Sequence, residues 1–397
     1  MALLILTFLV FLVVERAAIQ RGFLEMRLVR AKRRLFALER QGKAYRPAHE
    51  ILYETEWICD ATHDIARAER GVRALEEALR DPANADAADG QSEADGSWGR
   101  WYTEYFFKLD ASYDQIARLA DRGQVPKYPV RFLDRINSPG RLLAHLNRLL
   151  VSDTHLDGVD HRRELNETVA DLMRLILRNQ PRNYAFDPGL RATLLNWLLT
   201  TARNPETGYW GAWYRSPRDG AIERTNDLSI TFHIVSYLKG DVPDWPKIIG
   251  TTLAIKDRRY PLGWLERGGY LNHNNMDVVQ LFRMGWDRAT PDQREAMRVE
   301  IRKMLGWCLS ESLQADGSFK LQDGDDSLET SVNFGAGFLS LLGYFDRSRR
   351  FWTDEDFPEA ADVRARIVGF ILAHVGSGGE GGVYYRDTLR ELGAPAP

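Results

Sequence analysis

Between about residue 140 and the end of the 397-residue chain one pattern recurs. It consists of an amphipathic helix, a turn rich in glycine and aromatics, a polar loop, and a second, more apolar helix that starts at a polar residue. One unit reads LRATLLNWLLTTARNP, then TGYWGAWY at 207–214, then TNDLSITFHIVSYLKG at 225–240. The next reads DWPKIIGTTLAIK, YPLGWL at 260–265 and HNNMDVVQLFRMGW at 273–286. A third runs from REAMRVEIRKMLGWCLSESL through ADGSF at 315–319 to DDSLETSVNFGAGFLSLLGYF at 325–345, and a fourth from DVRARIVGFILAHV to GGVYY at 381–385. A spacing of about 50–60 residues between turns accommodates a helix pair with its connections.

The alternation has a physical consequence. A helix with one apolar stripe keeps its other face in water, whereas a helix apolar all round has to be enclosed by neighbours. The pattern therefore predicts an all-α protein in which amphipathic outer helices surround an inner ring, an α/α toroid. Inner helices of such a ring run parallel, and their amino-terminal ends gather at one rim. Those ends carry Asn226 and Asp227, then His273, Asn274, Asn275 and Asp277, then Asp323 to Asp326 and Glu329. Asp and Asn at helix starts also cap free backbone N–H groups, so each of these residues has a structural reading beside a functional one.

The turn SLQADGSF at 312–319 is similar to the Gln/aromatic turn repeated in squalene and hopene cyclases. Asp323-Gly324-Asp325-Asp326, at the start of an apolar helix, resembles the DxDD acid motif of class II terpene cyclases. With the repeat, these features resemble the α/α-toroid superfamily of terpenoid cyclases and protein prenyltransferase β subunits. The resemblance implies that Asp325 is the general acid protonating an alkene or epoxide of an isoprenoid or lipid, with Asp323 and Asp326 tuning it. That chemistry needs a carboxylic acid kept neutral in a dry cavity and aromatic faces to stabilise a carbocation. The zinc ligands of the prenyltransferases are missing, since neither Cys59 nor Cys308 lies at an inner-helix start, and no metal or cofactor is expected.

A second reading keeps the rim and changes the substrate to a glycan. Trp210, Trp213, Tyr214, Trp264, Tyr270, His273 and Asn274 would bind sugar rings. A hydrolase needs two carboxyl groups across the scissile bond, Asp227 or Asp277 opposite Asp325 or Glu329. A lyase needs a Tyr or His base, for which Tyr270 and His273 are available, with Asn274 beside them. A third reading is a non-catalytic, membrane-tethered scaffold.

The amino-terminal part has a different character. Residues 2–14, ALLILTFLVFLVV, are uncharged and followed by Arg16, Arg21, Arg27, Arg30, Lys32, Arg33 and Arg34. Residues 1–20 are expected to form a membrane anchor, which the basic residues on its carboxyl side orient with the main domain on the cytoplasmic face. Residues 21–80 read as a helical stalk or hairpin broken near Pro47. The small, acidic stretch 81–97 reads as a flexible linker. The toroid domain is expected over 98–397, opening with the aromatic cluster WGRWYTEYFF at 98–107. With 53 basic against 56 acidic residues, no global field favours nucleic acid.

Overall fold

The chain is described here by a computed structural model covering residues 2–39, 45–85, 87, 90–178, 180–321, 327–375 and 382–395, without the side chains of 2–18, 39 and 382–383. The described residues are mostly helical, with little strand. Two compact units emerge: unit 1 holds residues up to Trp197 together with Ala212–Glu223, and unit 2 holds Leu198–Gly211 with everything from Arg224 onward.

In unit 1, α1 (Ala2–Glu39), α2 (Arg46–Ala61) and α3 (Ile65–Ala78) pack as a bundle. Leu24, Leu28, Ala31 and Leu35 recur at intervals of three and four along α1, which places them on one face. All four are buried against Leu52, Trp57, Ile58, Val72 and Leu75. Phe106 and Phe107 of α4 (Tyr105–Asp121) close the same core, the Phe106 ring standing edge-on to Trp57 at 5.1 Å. The expected stalk is thus a folded bundle whose core is completed by the aromatic cluster at 98–107, and the unit boundary falls well beyond residue 98. α5 (Pro139–Leu150), α6 (Arg162–Leu177) and α7 (Leu190–Asn196) follow. A short strand β1 (Val151–Ser152) runs parallel to β2 (Trp213–Arg215), which is flanked by β3 (Ile222–Arg224).

The expected flexible linker is ordered over 90–97, and the reason is polar. The Gln91 amide donates to the carbonyls of Gly96 at 2.9 Å and Tyr128 at 2.7 Å, and its oxygen accepts the Tyr128 N–H at 2.7 Å. Gly96 has φ +74° and lies so close to Pro129 that a Cβ would sit 2.0 Å from its carbonyl oxygen. Hydrogen bonds and close backbone contact replace the apolar burial that composition alone would demand.

Unit 2 has two layers. An inner row is formed by α8 (Leu228–Tyr237), α10 (Asn272–Gly285), α12 (Leu328–Leu341) and α14 (Gly382–Glu391), each packed on the next. α9 (Trp245–Ala254) and α11 (Pro291–Trp307) pack on α10 and on each other, and α13 (Ala360–His374) packs on α14. The inner helices run parallel. His273 at the start of α10 stacks on Phe334 in the middle of α12 at 4.2 Å, while Arg283 near the end of α10 donates to the carbonyl of Leu341 at the end of α12 at 2.9 Å. The repeated glycine and aromatic turns have a packing role, since Phe319 lies fully buried where a Cβ on Gly335 would meet its ring at 2.3 Å. Among the residues whose side chains are described, no helix is long and apolar enough to cross a membrane; the apolar run 2–14 lies outside them.

Replacing Gln91 with Ala is expected to cost about 1–3 kcal/mol through the unmet carbonyls and to speed amide exchange at Gly96 and Tyr128. Exchange rates unchanged by Gln91→Ala would mean that the segment is held by something else.

Candidate functional site

The first turns of α10 are polar in sequence yet buried in the fold. Asn272, Asn274, Asn275 and Asp277 are all at most 2% exposed. They are buried because α10 is the middle of the inner row, with α8 and α12 on its flanks and α9 and α11 also against it. Asn272 donates to Ser312 Oγ at 2.8 Å and Asn274 to the Trp264 carbonyl at 2.9 Å. Their Oδ1 atoms, both polar side-chain atoms of Asn275 and Oδ1 of Asp277 find no partner among the described residues. Folded proteins leave few such atoms unmet, so the cluster is a candidate place for bound water or a ligand.

Asp277 is the chemical centre of this cluster. Its Oδ2 accepts from the Tyr260 hydroxyl at 3.3 Å and lies 3.9 Å from His273 Nε2. Burial raises its pKa well above the usual carboxylate range. The Tyr260 bond opposes that rise, and the nearby charge of Asp227 adds to it. His273 is pushed the other way by burial, to about 4. Burial therefore favours the uncharged form of both groups, the carboxylic acid of Asp277 and the neutral imidazole of His273, and works against an ion pair between them. Phe334, stacked on the imidazole at 16° between planes, supplies an aromatic wall.

The other sequence candidates fall in several places. Asp227 is fully buried as the cap of α8, accepting from the Ile230 N–H at 2.9 Å, and its charge reaches Asp277. Glu329 accepts the Tyr385 N–H at 3.1 Å and so ties α12 to the start of α14. Trp210 and Trp264 are 1% exposed, which removes their ring faces from any substrate. Trp210 donates to the Leu198 carbonyl, and Trp264 stands edge-on to Phe282. Trp213 and Tyr214 belong to β2 of unit 1, where the Tyr214 hydroxyl reaches both oxygens of Asp160 at 3.1 Å. Tyr270 is half-buried and packs near Trp307. Asp323, Asp325 and Asp326 lie outside the described residues. Among the described residues, no cluster of three His, Cys, Asp or Glu side chains is placed to hold a metal.

Tyr260, Asn272 and Phe334 are the members that sequence reasoning did not single out. A signal for one of them, Asn272, exists. Asn272 and Asp277 of α10 are spaced as Asn166 and Asp171 are in α6, each Asp followed by two apolar residues, a polar one and Leu. In unit 1 Asp171 is also fully buried, with Oδ2 unpartnered among the described residues and a pKa raised well above normal by burial and then by Asp110. Tyr105 and His145 lie nearby, ring centroids 5.5 Å apart, and burial pushes His145 to about 4. The two clusters differ at the third residue after the Asp. Arg174 pairs with Asp171, while Gln280 occupies the matching position and donates to Ser236 at 3.1 Å. Unit 2 therefore holds the acid that no guanidinium bonds.

Comparison with protein-family models, curated proteins and solved structures finds no match, so these residues take their roles from geometry alone.

Asp277→Asn tests the protonation state. An acid whose folded pKa is raised keeps its proton where the unfolded chain loses it, near pH 3.9. The wild type then loses stability as pH rises from there until the folded pKa is passed. Asp277→Asn lacks that loss, so its stability relative to wild type should rise with pH, as read by chemical denaturation at several pH values. A difference independent of pH would place an ionised carboxylate in the fold. In unit 1, Arg174→Leu removes the partner that lowers the Asp171 pKa, so it should cost about 3 kcal/mol at pH values where Asp171 is ionised and less where Asp171 carries a proton. An equal loss at both pH values would remove the Arg174–Asp171 pair from the account.

Proposed function

We propose that unit 2 is the acid-catalytic part of a terpenoid-cyclase-like enzyme built on an α/α toroid, acting on an isoprenoid or other lipid. In this reading the inner row α8, α10, α12 and α14 forms part of the ring, and Asp277 donates the proton that starts the reaction. The observation that carries the proposal is Asp277 itself: a buried acid whose neutral form burial favours, with one oxygen unpartnered among the described residues and an imidazole–phenyl stack beside it. The raised pKa keeps the proton in place, and the cation that follows needs a wall of π-faces, which Phe334 and Tyr260 begin to supply. His273, already neutral, is suited to take a proton back at the end of the reaction. α1 would tether the enzyme to the cytoplasmic face of a membrane, from which an apolar substrate arrives.

Asp325 keeps the role that the DxDD resemblance implies as the competing acid, with Asp323 and Asp326 beside it. The glycan reading draws on one feature, the amide oxygens of Asn272 and Asn274 and the whole amide of Asn275, unpartnered among the described residues, which suit a hydroxylated ligand. It is weakened by Asp227, whose carboxylate is engaged as a helix cap where hydrolysis needs a second working carboxylate.

The test is turnover of polyprenyl substrates bearing a terminal alkene or epoxide by the full-length protein, with products identified by mass spectrometry. Asp277→Asn should lower the rate about a hundred- to ten-thousand-fold, and the wild-type rate should fall as pH rises through the folded pKa of Asp277. Loss with Asp325→Asn and none with Asp277→Asn would move the acid to 323–326. Release of reducing sugar ends from polysaccharides in place of polyprenyl conversion would establish the glycan reading.

A further inference from the structure

Among the described residues one face of α1 is exposed, and its composition changes along its length. Opposite the buried residues Leu24, Leu28 and Leu35 lie Ile19, Phe23 and Met26, which are 56%, 61% and 60% exposed, with Val29 at the edge at 48%. Continuing at the same helical spacing, the face becomes basic, with Arg30 and Arg33 exposed. The other basic residues of this stretch are engaged inward. Arg27 pairs with Glu76 at 3.0 Å and Lys32 with Glu56 at 2.7 Å, while Arg34 donates to the Leu79 carbonyl at 3.2 Å and Arg21 to the Cys59 carbonyl. Arg30 and Arg33 make no hydrogen bond or ion pair among the described residues.

We propose that this face of α1 is an interfacial lipid-binding surface, with Ile19, Phe23 and Met26 in the acyl–headgroup boundary of an anionic bilayer and Arg30 and Arg33 on its phosphates. Three arguments favour lipid. The patch continues the same helix from the apolar run 2–14, so any membrane that receives the run brings Ile19 and Phe23 to its surface. The order, apolar then cationic, matches the order in which a helix leaving the interface meets acyl chains and phosphates. A second copy of α1 fits poorly, because a seam through Ile19, Phe23 and Met26 carries Arg30 and Arg33 at its next positions, where two like charges would be desolvated against their equivalents. The bundle on the opposite side of α1 would then lie directly above the membrane surface, held there by about 15 residues of helix in place of a single insertion point.

The inference rests on the proposed tether only in placing α1 at a bilayer, and the experiment separates the two. Full-length protein carrying Cys59→Ser, with the fully buried Cys308 left in place, is labelled with an environment-sensitive fluorophore at Phe23→Cys or, on another face, at Glu25→Cys. It is mixed with phosphatidylcholine vesicles with or without phosphatidylglycerol, containing lipid-borne quenchers. The expected result is a blue shift and quenching several-fold stronger at position 23 than at position 25. The preference for anionic vesicles should fall about fivefold for each of Arg30→Gln and Arg33→Gln. Vesicle-bound protein with both probes equally in water would overturn the inference and leave the tether standing. Absence of any vesicle binding would remove both. Probe–probe self-quenching at position 23 without lipid quenching would assign the face to a second copy.

Discussion

Enclosure of α10 is the constraint on which the rest of unit 2 depends. A helix flanked by α8 and α12 and also packed on by α9 and α11 has little face left for water, yet its first turns bury Asn272, Asn274, Asn275 and Asp277. Burying that many polar groups is unfavourable unless each is bonded, and several of their atoms are not. The apolar remainder of the helix, with Val278, Val279, Leu281 and Phe282 fully buried, offsets that penalty. The same packing that stabilises the inner row therefore creates an environment that favours the protonated form of a carboxyl group.

Unit 1 shows the alternative solution to the same problem. Asp171 has the burial of Asp277 and a comparable Tyr and His neighbourhood, but Arg174 lies one turn further along α6 and bonds it. Gln280, at the matching position of α10, bonds α8 through Ser236 and leaves Asp277 to Tyr260 and its own proton. One side chain at that position separates an acid bonded to a guanidinium from one that is not, because a guanidinium within hydrogen-bonding reach favours the ionised carboxylate and an amide does not.

Much of the architecture was legible in the chain. The periodicity foretold a mostly helical chain, and of the polar helix starts those of α8 and α10 bring Asp227 near enough to Asp277 for its charge to be felt, while residues 323–326 before α12 lie outside the described residues. The double reading of those residues divided cleanly in two cases. Asp227 became a cap, since its oxygen meets the Ile230 N–H, and Glu329 became a tie to α14. The aromatic residues were less legible, because a ring beside a glycine turn serves equally as core or as binding surface. Trp210 and Trp264 proved to be core, and Trp213 and Tyr214 belong to the other unit. The stretch 90–97 looked disordered because composition records missing apolar surface but not the three hydrogen bonds made by the Gln91 amide.

Local rules of periodicity and capping act over three or four residues, and they sufficed to write an all-helical chain with a repeating pair and a basic, apolar-tipped first helix. The choice of Asp277 over its acidic neighbours needed contacts from far along the chain: Tyr260 seventeen residues before it, Asp227 fifty before it, and Phe334 stacked on its companion His273. A carboxyl group's protonation depends on what surrounds it in three dimensions, and desolvation is a property of the assembled row. Aspartate by aspartate, the sequence named the candidates; which of them is dry was decided only when α8, α9, α11 and α12 closed around α10.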